Sequence, residues 1–207
     1  MLKVWGRRNS SNVQKVMWAI GELGIAYERV DVGMEFGGND QPTYLALNPN
    51  GLIPTIQDDD FVLWESNSII RYLACRYGSG ILEPTDPKTR AQASQWMDWQ
   101  ISTFQPVFTK IFWGLVRIPP EKRDHTTIAE AKAKSIGAAK ILDAELSRHT
   151  YLAGDTFSIG DIPIGVFMYR FQQLVTECPH LPNLKRWCAT IESRPAFREH
   201  VASIPLT

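Results

Sequence analysis

The chain has 207 residues, of which 44% are hydrophobic and 11% aromatic, enough for one large domain or two small ones around an apolar core. Its 22 basic and 22 acidic residues cancel, and no long run carries one sign, so the sequence indicates neither a nucleic-acid partner nor a membrane surface. No charged and apolar leader opens the chain, and no apolar run reaches membrane-spanning length, so we expect a cytoplasmic protein.

Strand-like and helix-like patterns alternate over residues 1–78. A short apolar stretch predicts a first strand, apolar residues then recur at helical spacing until Gly24, and a second strand follows from Tyr27 to Val32. A short helix comes next, then two strands around an acidic turn, then a helix from Glu65 to Gly78. The order βαβ, α, ββα needs a crossover, so the first two strands are expected to be parallel.

The rest of the chain is predicted to be helical. Residues 79–87 are rich in Gly, Pro, Thr and Asp, as is typical of a linker, and residues 88–207 form an all-α domain. Its first helix runs from Lys88 to about Leu115, with a kink at Pro106. Further along, Ser158-Ile159-Gly160-Asp161 before an apolar run predicts a helix cap. The fold class is therefore an α+β domain followed by a helical domain.

Metal chemistry is not indicated by this sequence. The three cysteines, Cys75, Cys178 and Cys188, form no C-x-x-C pair, and no histidine lies near them at metal-ligand spacing. Neither a disulfide framework nor a zinc site is therefore expected.

The segment Asn48-Pro49-Asn50-Gly51-Leu52-Ile53-Pro54-Thr55-Ile56 is the most informative part of the chain. Pro54 precedes a strand-like run and cannot donate a backbone hydrogen bond, and an X-Pro bond is the one that most readily becomes cis. A cis bond between Ile53 and Pro54 would turn the backbone of Ile53 toward solvent. There its N–H and C=O can pair, in the manner of a strand, with a peptide-like ligand.

A second motif, Glu65-Ser66, follows nine residues later at the start of a predicted helix. The unpaired N–H groups and the positive dipole end of a helix N-terminus can receive a carboxylate. Each motif alone also fits a simpler reading, a hairpin edge or an ordinary helix start. Together they predict a binding site for a small peptide acid.

In their order and spacing, these two motifs resemble the glutathione-binding half of the soluble glutathione transferases. The resemblance implies a thioredoxin-like first domain, glutathione as co-substrate and a homodimer. It also implies that Ile53, beside a cis Pro54, pairs with the cysteinyl backbone of glutathione. Glu65 and Ser66 would hold the γ-glutamyl end.

The loop before the first helix offers donors for a thiol. A thiol with a pKa near 8.5 is only about 3% ionised at pH 7, and lowering that pKa by about two requires roughly 2.7 kcal/mol. One hydroxyl donor and a helix N-terminus can supply this order of magnitude. The stretch from Ser10 to Val16 resembles the serine-type classes theta, phi and zeta, which implies that Ser10 activates the thiol, with Ser11 as the alternative and Asn12 in support. Capping of the helix is the simpler explanation for the same residues.

Two features depart from the family pattern. Many relatives carry Lys or Gln where this chain has Leu52, which cannot meet the glycyl carboxylate of glutathione. That contact would have to come from the loop near Asn39 or from a basic residue such as Arg7, Arg8 or Lys15. Zeta-like isomerases typically show Ser-Ser-Cys where this chain has Ser-Ser-Asn, and the lack of a cysteine near position 10 disfavours disulfide exchange.

The resemblance also implies a pocket for the electrophile between the two domains, lined by the long first helix of the helical domain. The candidate lining residues are aromatic, although side chains of this type also form cores: Phe104, Phe108, Phe112 and Trp113.

The sequence thus predicts a bacterial glutathione S-transferase of the serine type, a detoxifying enzyme that joins the glutathione thiolate to small apolar electrophiles. Two alternatives are a glutathione-dependent isomerase, dehalogenase or ether-cleaving enzyme on the same fold, and a non-catalytic binding scaffold. Leu52 is the feature that points toward the scaffold.

Overall fold

A four-stranded mixed sheet forms the centre of the N-terminal part of the protein, whose computed structural model describes all 207 residues. The strands are β1 (Leu2–Trp5), β2 (Tyr27–Val30), β3 (Thr55–Asp58) and β4 (Phe61–Trp64), in the order β2-β1-β3-β4. β1 runs parallel to β2 and antiparallel to β3, and β3 forms a hairpin with β4. The predicted βαβ-α-ββα order is confirmed, with β2 two residues shorter than expected.

Helix α1 (Ser11–Leu23) makes the crossover between the parallel strands. It ends at Gly24, whose left-handed φ of 63° suits a residue without a β-carbon. Apolar residues at helical spacing place one face of α1 against the sheet and against a later helix, α3 (Ser66–Tyr77). The buried core contains Leu2, Val4, Val13, Val16, Met17, Ile20, Ile56, Ile69 and Leu73.

Between β2 and β3 the chain forms a 3₁₀ turn (Met34–Phe36) and a short helix, α2 (Pro42–Leu45). The last helix of this part, α3, begins one residue later than the sequence predicts. Glu65 precedes it with a left-handed backbone (φ 71°, ψ 111°) and is therefore the residue that turns the chain from β4 into the helix.

The long helix of the second part is interrupted by a wider turn. Helices α4 (Pro87–Trp99) and α5 (Gln105–Phe112) are joined by a π-helical turn at Gln100–Phe104, and a second such turn, Trp113–Arg117, follows α5. Pro106 lacks an N–H and its ring crowds the carbonyl four residues earlier, so a helix must adjust before it. Where the sequence predicts a kink at Pro106, the structure has a π-helical turn that ends two residues before it.

Four more helices follow: α6 (His125–Leu146), α7 (Asp161–Leu174), α8 (Pro182–Glu192) and the short α9 (Pro195–Phe197), which continues as a π turn at Arg198–Ala202. α7 begins at Asp161 with Gly160 at the N-cap position, two residues after Ser158, which the sequence predicts as the cap. The Asp161 carboxylate accepts from the backbone N–H of Ser158 at 3.0 Å and from its hydroxyl at 3.3 Å. No helix combines the length and the apolar character that a membrane crossing requires.

The chain divides into two compact units, Met1–Glu83 with Pro195–Ile204, and Pro84–Arg194 with Pro205–Thr207. The break between Glu83 and Pro84 lies within the segment 79–87 that the sequence indicates as a linker. The sequence places residues 195–204 with the helical domain, but in the structure they belong to the first unit. Phe197 packs edge-on against Trp18 of α1 there, with ring centroids 4.8 Å apart.

Candidate functional site

The N-terminus of α1 carries an unpaired hydroxyl. Ser10 is the N-cap residue, with an extended backbone (φ −76°, ψ 125°), and its carbonyl accepts the first helical hydrogen bond from Gln14 N–H at 2.8 Å. An N-cap serine ordinarily also gives its side-chain oxygen to an N–H of the first turn. The side chain of Ser10 makes no such bond and has no other partner in the protein. Its half-buried hydroxyl is therefore available to a ligand.

Ile53 offers its backbone in the way that the sequence predicts. The Ile53–Pro54 bond is cis. The side chain of Ile53 lies beside Gly6 and Gly33, where an added β-carbon would come within 3.3 Å of it at either glycine. Neither the N–H nor the C=O of Ile53 makes a hydrogen bond within the protein. With its side chain held inward, Ile53 keeps one donor and one acceptor for a ligand.

The carbonyl group of Leu52, one residue earlier, is held by two donors. The hydroxyl of Tyr44 donates to it at 2.6 Å and Asn48 Nδ2 at 2.8 Å. The side chain of Leu52 itself is 63% exposed. Nearby, Asn39 Nδ2 donates to the carbonyl oxygen of Gly51 at 2.8 Å, so this predicted site residue supports the same segment.

Glu65, Ser66 and Asn12 meet at the N-terminus of α3. The left-handed backbone of Glu65 costs a residue with a β-carbon about 1–3 kcal/mol, and such residues concentrate at ligand sites. Ser66 is buried, and its hydroxyl donates to Asn12 Oδ1 at 3.4 Å. The structure thus brings the two predicted parts of the site together, one at the start of α1 and the other at the start of α3.

Helix α1 also carries a buried amine, that of Lys15. Lys15 is completely buried, and burial lowers its pKa from 10.5 to about 7, while the negative charge of Glu65 acts in the opposite direction. Complete burial removes Lys15 from the candidates for an exposed carboxylate. Arg7 is better placed, because its Nη1 lies 3.6 Å from the position of a β-carbon on Gly33, which is also next to Ile53.

The four aromatic candidates of the helical unit differ in accessibility. Phe104 and Phe108 are buried and stack on each other at 5.8 Å between centroids, with Phe167 edge-on to both. Phe112 is half-buried and has Arg117 and Arg170 over its ring. Trp113 is 53% exposed.

Sequence reasoning did not identify the polar cluster beneath Leu52. Besides Tyr44 and Asn48 it contains Thr55, whose Oγ1 lies 2.9 Å from the Tyr44 hydroxyl and 3.2 Å from Asn48 Nδ2. The one local signal was Asn48 in an Asn-Pro-Asn-Gly stretch, since asparagine side chains commonly bond to backbone groups of turns. Nothing in the sequence indicated that Tyr44 belongs to this cluster, because a tyrosine in a short amphipathic helix is ordinarily a core residue.

Two family models match the chain. That of the glutathione S-transferase N-terminal domain matches residues 1–75, and that of the C-terminal domain matches residues 104–195.

Individual relatives match over nearly the whole length. Glutathione S-transferase GstB of Escherichia coli is 44% identical over 210 residues, covering 100% of both chains. Glutathione S-transferase 3 of Zea mays is 36% identical over 220 residues, covering 99% of this chain and 95% of the maize protein. Among solved structures, the theta class glutathione S-transferase of Xanthomonas axonopodis pv. citri with glutathione bound superposes with a TM-score of 0.95 at 48% identity, covering 100% of this chain and 99% of that one.

Proposed function

Because the chain belongs to the glutathione S-transferase family, we propose that it ionises the thiol of bound glutathione and transfers the thiolate to small apolar electrophiles. The unpaired Ser10 hydroxyl at the N-terminus of α1 is the observation that carries this proposal. Because the Ser10 hydroxyl has no partner in the protein, its O–H proton can be donated to the sulfur of a bound thiol.

Ser10 acts on the thiolate in this proposal as a hydrogen-bond donor and not as a nucleophile. A charge-assisted hydrogen bond is worth about 1.5–3 kcal/mol, and the helix dipole adds up to about 2 kcal/mol in partly buried geometry. Their sum is of the size needed to bring the pKa of the thiol below 7. Ser11 and Asn12, which follow Ser10 in the first turn, are the alternative and supporting donors. The thiolate then attacks an electrophilic carbon that the site holds close to it.

Glutathione is held mainly through its backbone and its two ends. The free N–H and C=O of Ile53 pair with the cysteinyl residue, beside Pro54. Glu65 and the buried Ser66, at the N-terminus of α3, receive the γ-glutamyl end, where helix N–H groups favour a carboxylate.

The glycyl carboxylate needs a different partner, because Leu52 offers no charge. Arg7 is our candidate, since it lies beside Gly33 and Ile53. Asn39 contributes indirectly through its hydrogen bond to Gly51.

The aromatic end of α5 is our candidate for contact with the electrophile. Trp113 and Phe112 have exposed surface for this contact, whereas Phe104 and Phe108 are buried in the core of the helical unit. Tyr, Trp and Phe side chains supply most of the apolar lining in sites of this kind.

We further propose a homodimer in the cytoplasm. The first unit exposes three large apolar side chains on β4 and α3, namely Phe61, Trp64 and Tyr77, and a second copy would cover them. All three cysteines are free, which suits a reducing compartment. Light scattering after size exclusion should give twice the 23.5 kDa chain mass, and Phe61→Glu should shift it toward one copy.

Ultraviolet titration of bound glutathione tests the proposed function. In the wild type we expect thiolate absorbance at neutral pH, and in Ser10→Ala we expect the apparent pKa of the thiol to rise by about one to two. An unchanged pKa in Ser10→Ala together with a raised one in Ser11→Ala would transfer the role to Ser11. No glutathione binding by the wild type would refute the proposal in favour of a scaffold.

A further inference from the structure

The polar cluster formed by Tyr44, Asn48 and Thr55 has one consistent arrangement of donors and acceptors. The Tyr44 proton goes to the Leu52 carbonyl at 2.6 Å, so the 2.9 Å contact between Tyr44 and Thr55 requires Thr55 to donate. Asn48 Nδ2 has two protons, one for the Leu52 carbonyl and one for Thr55 Oγ1. Each proton therefore has its own acceptor, and both lone pairs of the Leu52 oxygen are used.

The cluster is anchored on three sides. Tyr44 lies in α2 and is buried, Thr55 is the first residue of β3 and pairs with neighbours on both sides, and Asn48 Oδ1 accepts from Asn50 N–H at 3.1 Å. Burial raises the pKa of Tyr44, so its hydroxyl remains a donor throughout the neutral range. Buried polar groups that are all satisfied form rigid networks.

The direction of the Leu52 carbonyl determines the direction of the Ile53 N–H. These two groups belong to one peptide unit, which is trans, and in a planar trans peptide they point in opposite directions. Since the carbonyl points into the cluster, the N–H of Ile53 points away from it. That N–H is the unpaired donor of the site.

We infer that Tyr44 and Asn48 are positioning residues that aim the Ile53 N–H at the backbone of glutathione by holding the carbonyl group of Leu52. This inference rests on the proposed function. The two residues act on glutathione affinity and not on thiol ionisation, because Ser10 belongs to a different segment. A purely structural role would instead lower stability without separating these two properties.

The test compares Tyr44→Phe with Tyr72→Phe as a matched control. Each substitution removes one hydroxyl from the same unit, and the Tyr72 hydroxyl donates at 2.7 Å to Asp58. Calorimetric titration with S-methylglutathione measures affinity without a free thiol. We expect Tyr44→Phe to weaken the Kd about fivefold to tenfold, the loss of one net hydrogen bond, and Tyr72→Phe to leave it unchanged.

Kinetics with chlorodinitrobenzene then separate binding from activation. In Tyr44→Phe we expect the KM for glutathione to rise in step with the Kd, while kcat and the pKa of the bound thiol stay at the wild-type values. Thr55→Val, which keeps both donors on Leu52 but removes their support, should show the same pattern about twofold to threefold weaker.

Failure of this inference is distinguishable from failure of the proposed function. If the wild type does not bind S-methylglutathione, both the positioning role and the proposed function are refuted. If the wild type binds but Tyr44→Phe binds equally well, or if Tyr72→Phe loses as much affinity, only the positioning role is overturned. A shifted thiol pKa in Tyr44→Phe would also overturn it, because the cluster would then act on the sulfur.

Discussion

The hydroxyl of Ser66, at the start of α3, donates to the side-chain oxygen of Asn12, at the start of α1, over 3.4 Å. Usual O–H···O hydrogen bonds span about 2.5–3.0 Å, so this one is weak. Under the proposed function, the two residues serve opposite ends of one ligand region, the γ-glutamyl group and the thiol. Because the bond is weak, we expect the Ser66 hydroxyl to turn to glutathione at little cost.

Asn12→Ala should therefore change function more than stability. Loss of a weak bond should lower the free energy of unfolding by less than about 0.5 kcal/mol. The pKa of the thiol of bound glutathione should rise, but by less than in Ser10→Ala. Urea denaturation and ultraviolet titration measure the two effects. In Asn12→Asp the added negative charge should raise the thiol pKa further. A stability loss above about 1 kcal/mol in Asn12→Ala would contradict this reading.

Leu52→Lys should tighten glutathione binding. The side chain of Leu52 is 63% exposed, and the backbone is held through its carbonyl, so a lysine side chain fits without repacking. A new contact to the glycyl carboxylate should lower the KM for glutathione about threefold to tenfold at low salt. This gain should shrink when ionic strength is raised to about 0.5 M, because exposed charges are screened. Leu52→Met, similar in length but neutral, should behave like the wild type; an equal KM in the two variants would refute the charge argument.

Local patterns predicted the sheet, most of the helices and the cis bond before Pro54, because each depends on neighbours in the chain, whereas the role of the two motifs in binding glutathione rests on the family resemblance. Gly24 ends α1 as its position suggests, and Pro54 follows a cis bond. The preference of serine for N-cap positions did not reveal whether the Ser10 hydroxyl caps α1, since that depends on a side-chain torsion set by the folded loop. Asn12 and Ser66 are 54 residues apart, and only the packing of α1 on α3 brings them together.

Long-range packing also explains the differences at the C-terminal end. Residues 195–202 are helical as expected, but a helical pattern does not show which element the helix packs against. Phe197 meets Trp18 of α1, a contact across most of the chain. Similarly, Pro106 predicts an interruption of the long helix, but the sequence does not show that the interruption is a π-helical turn at Gln100–Phe104.

The stability of the protein should rise with pH above neutrality because of Lys15. Burial lowers the pKa of Lys15 to about 7, below the 10.5 of the unfolded chain. Between these values the unfolded state binds a proton that the folded state lacks, so the free energy of unfolding increases with pH. The full interval corresponds to at most about 5 kcal/mol.

Urea unfolding at pH 7 and at about pH 9.5 measures this increase. Lys15→Met should abolish most of it, whereas Lys3→Met, at a half-exposed lysine of β1, should retain it. Equal pH dependence in the wild type and Lys15→Met would show that the amine of Lys15 remains charged in the folded protein.

Asp161 should be the most costly carboxylate to remove from the helical unit. It is completely buried and accepts from Ser158 N–H at 3.0 Å, Leu152 N–H at 3.1 Å and Trp187 Nε1 at 2.9 Å. Asp161→Ala leaves these buried donors unpaired, and we expect a loss of about 3–5 kcal/mol in the free energy of unfolding. Asp161→Asn keeps one acceptor oxygen and should lose about half as much.

Asp155→Ala is the matched control for this prediction. Asp155 accepts from Thr150 N–H at 3.1 Å in the same unit, but it is exposed, so water replaces it and the loss should stay below about 1 kcal/mol.

Burial also raises the pKa of Asp161 to about 6, above the 3.8 of the unfolded chain, so its neutral form favours folding and this contribution is lost as pH rises through 6. The difference in the free energy of unfolding between the wild type and Asp161→Asn should therefore be larger at pH 4 than at pH 7. A gap independent of pH would mean that the surrounding donors keep Asp161 ionised throughout this range.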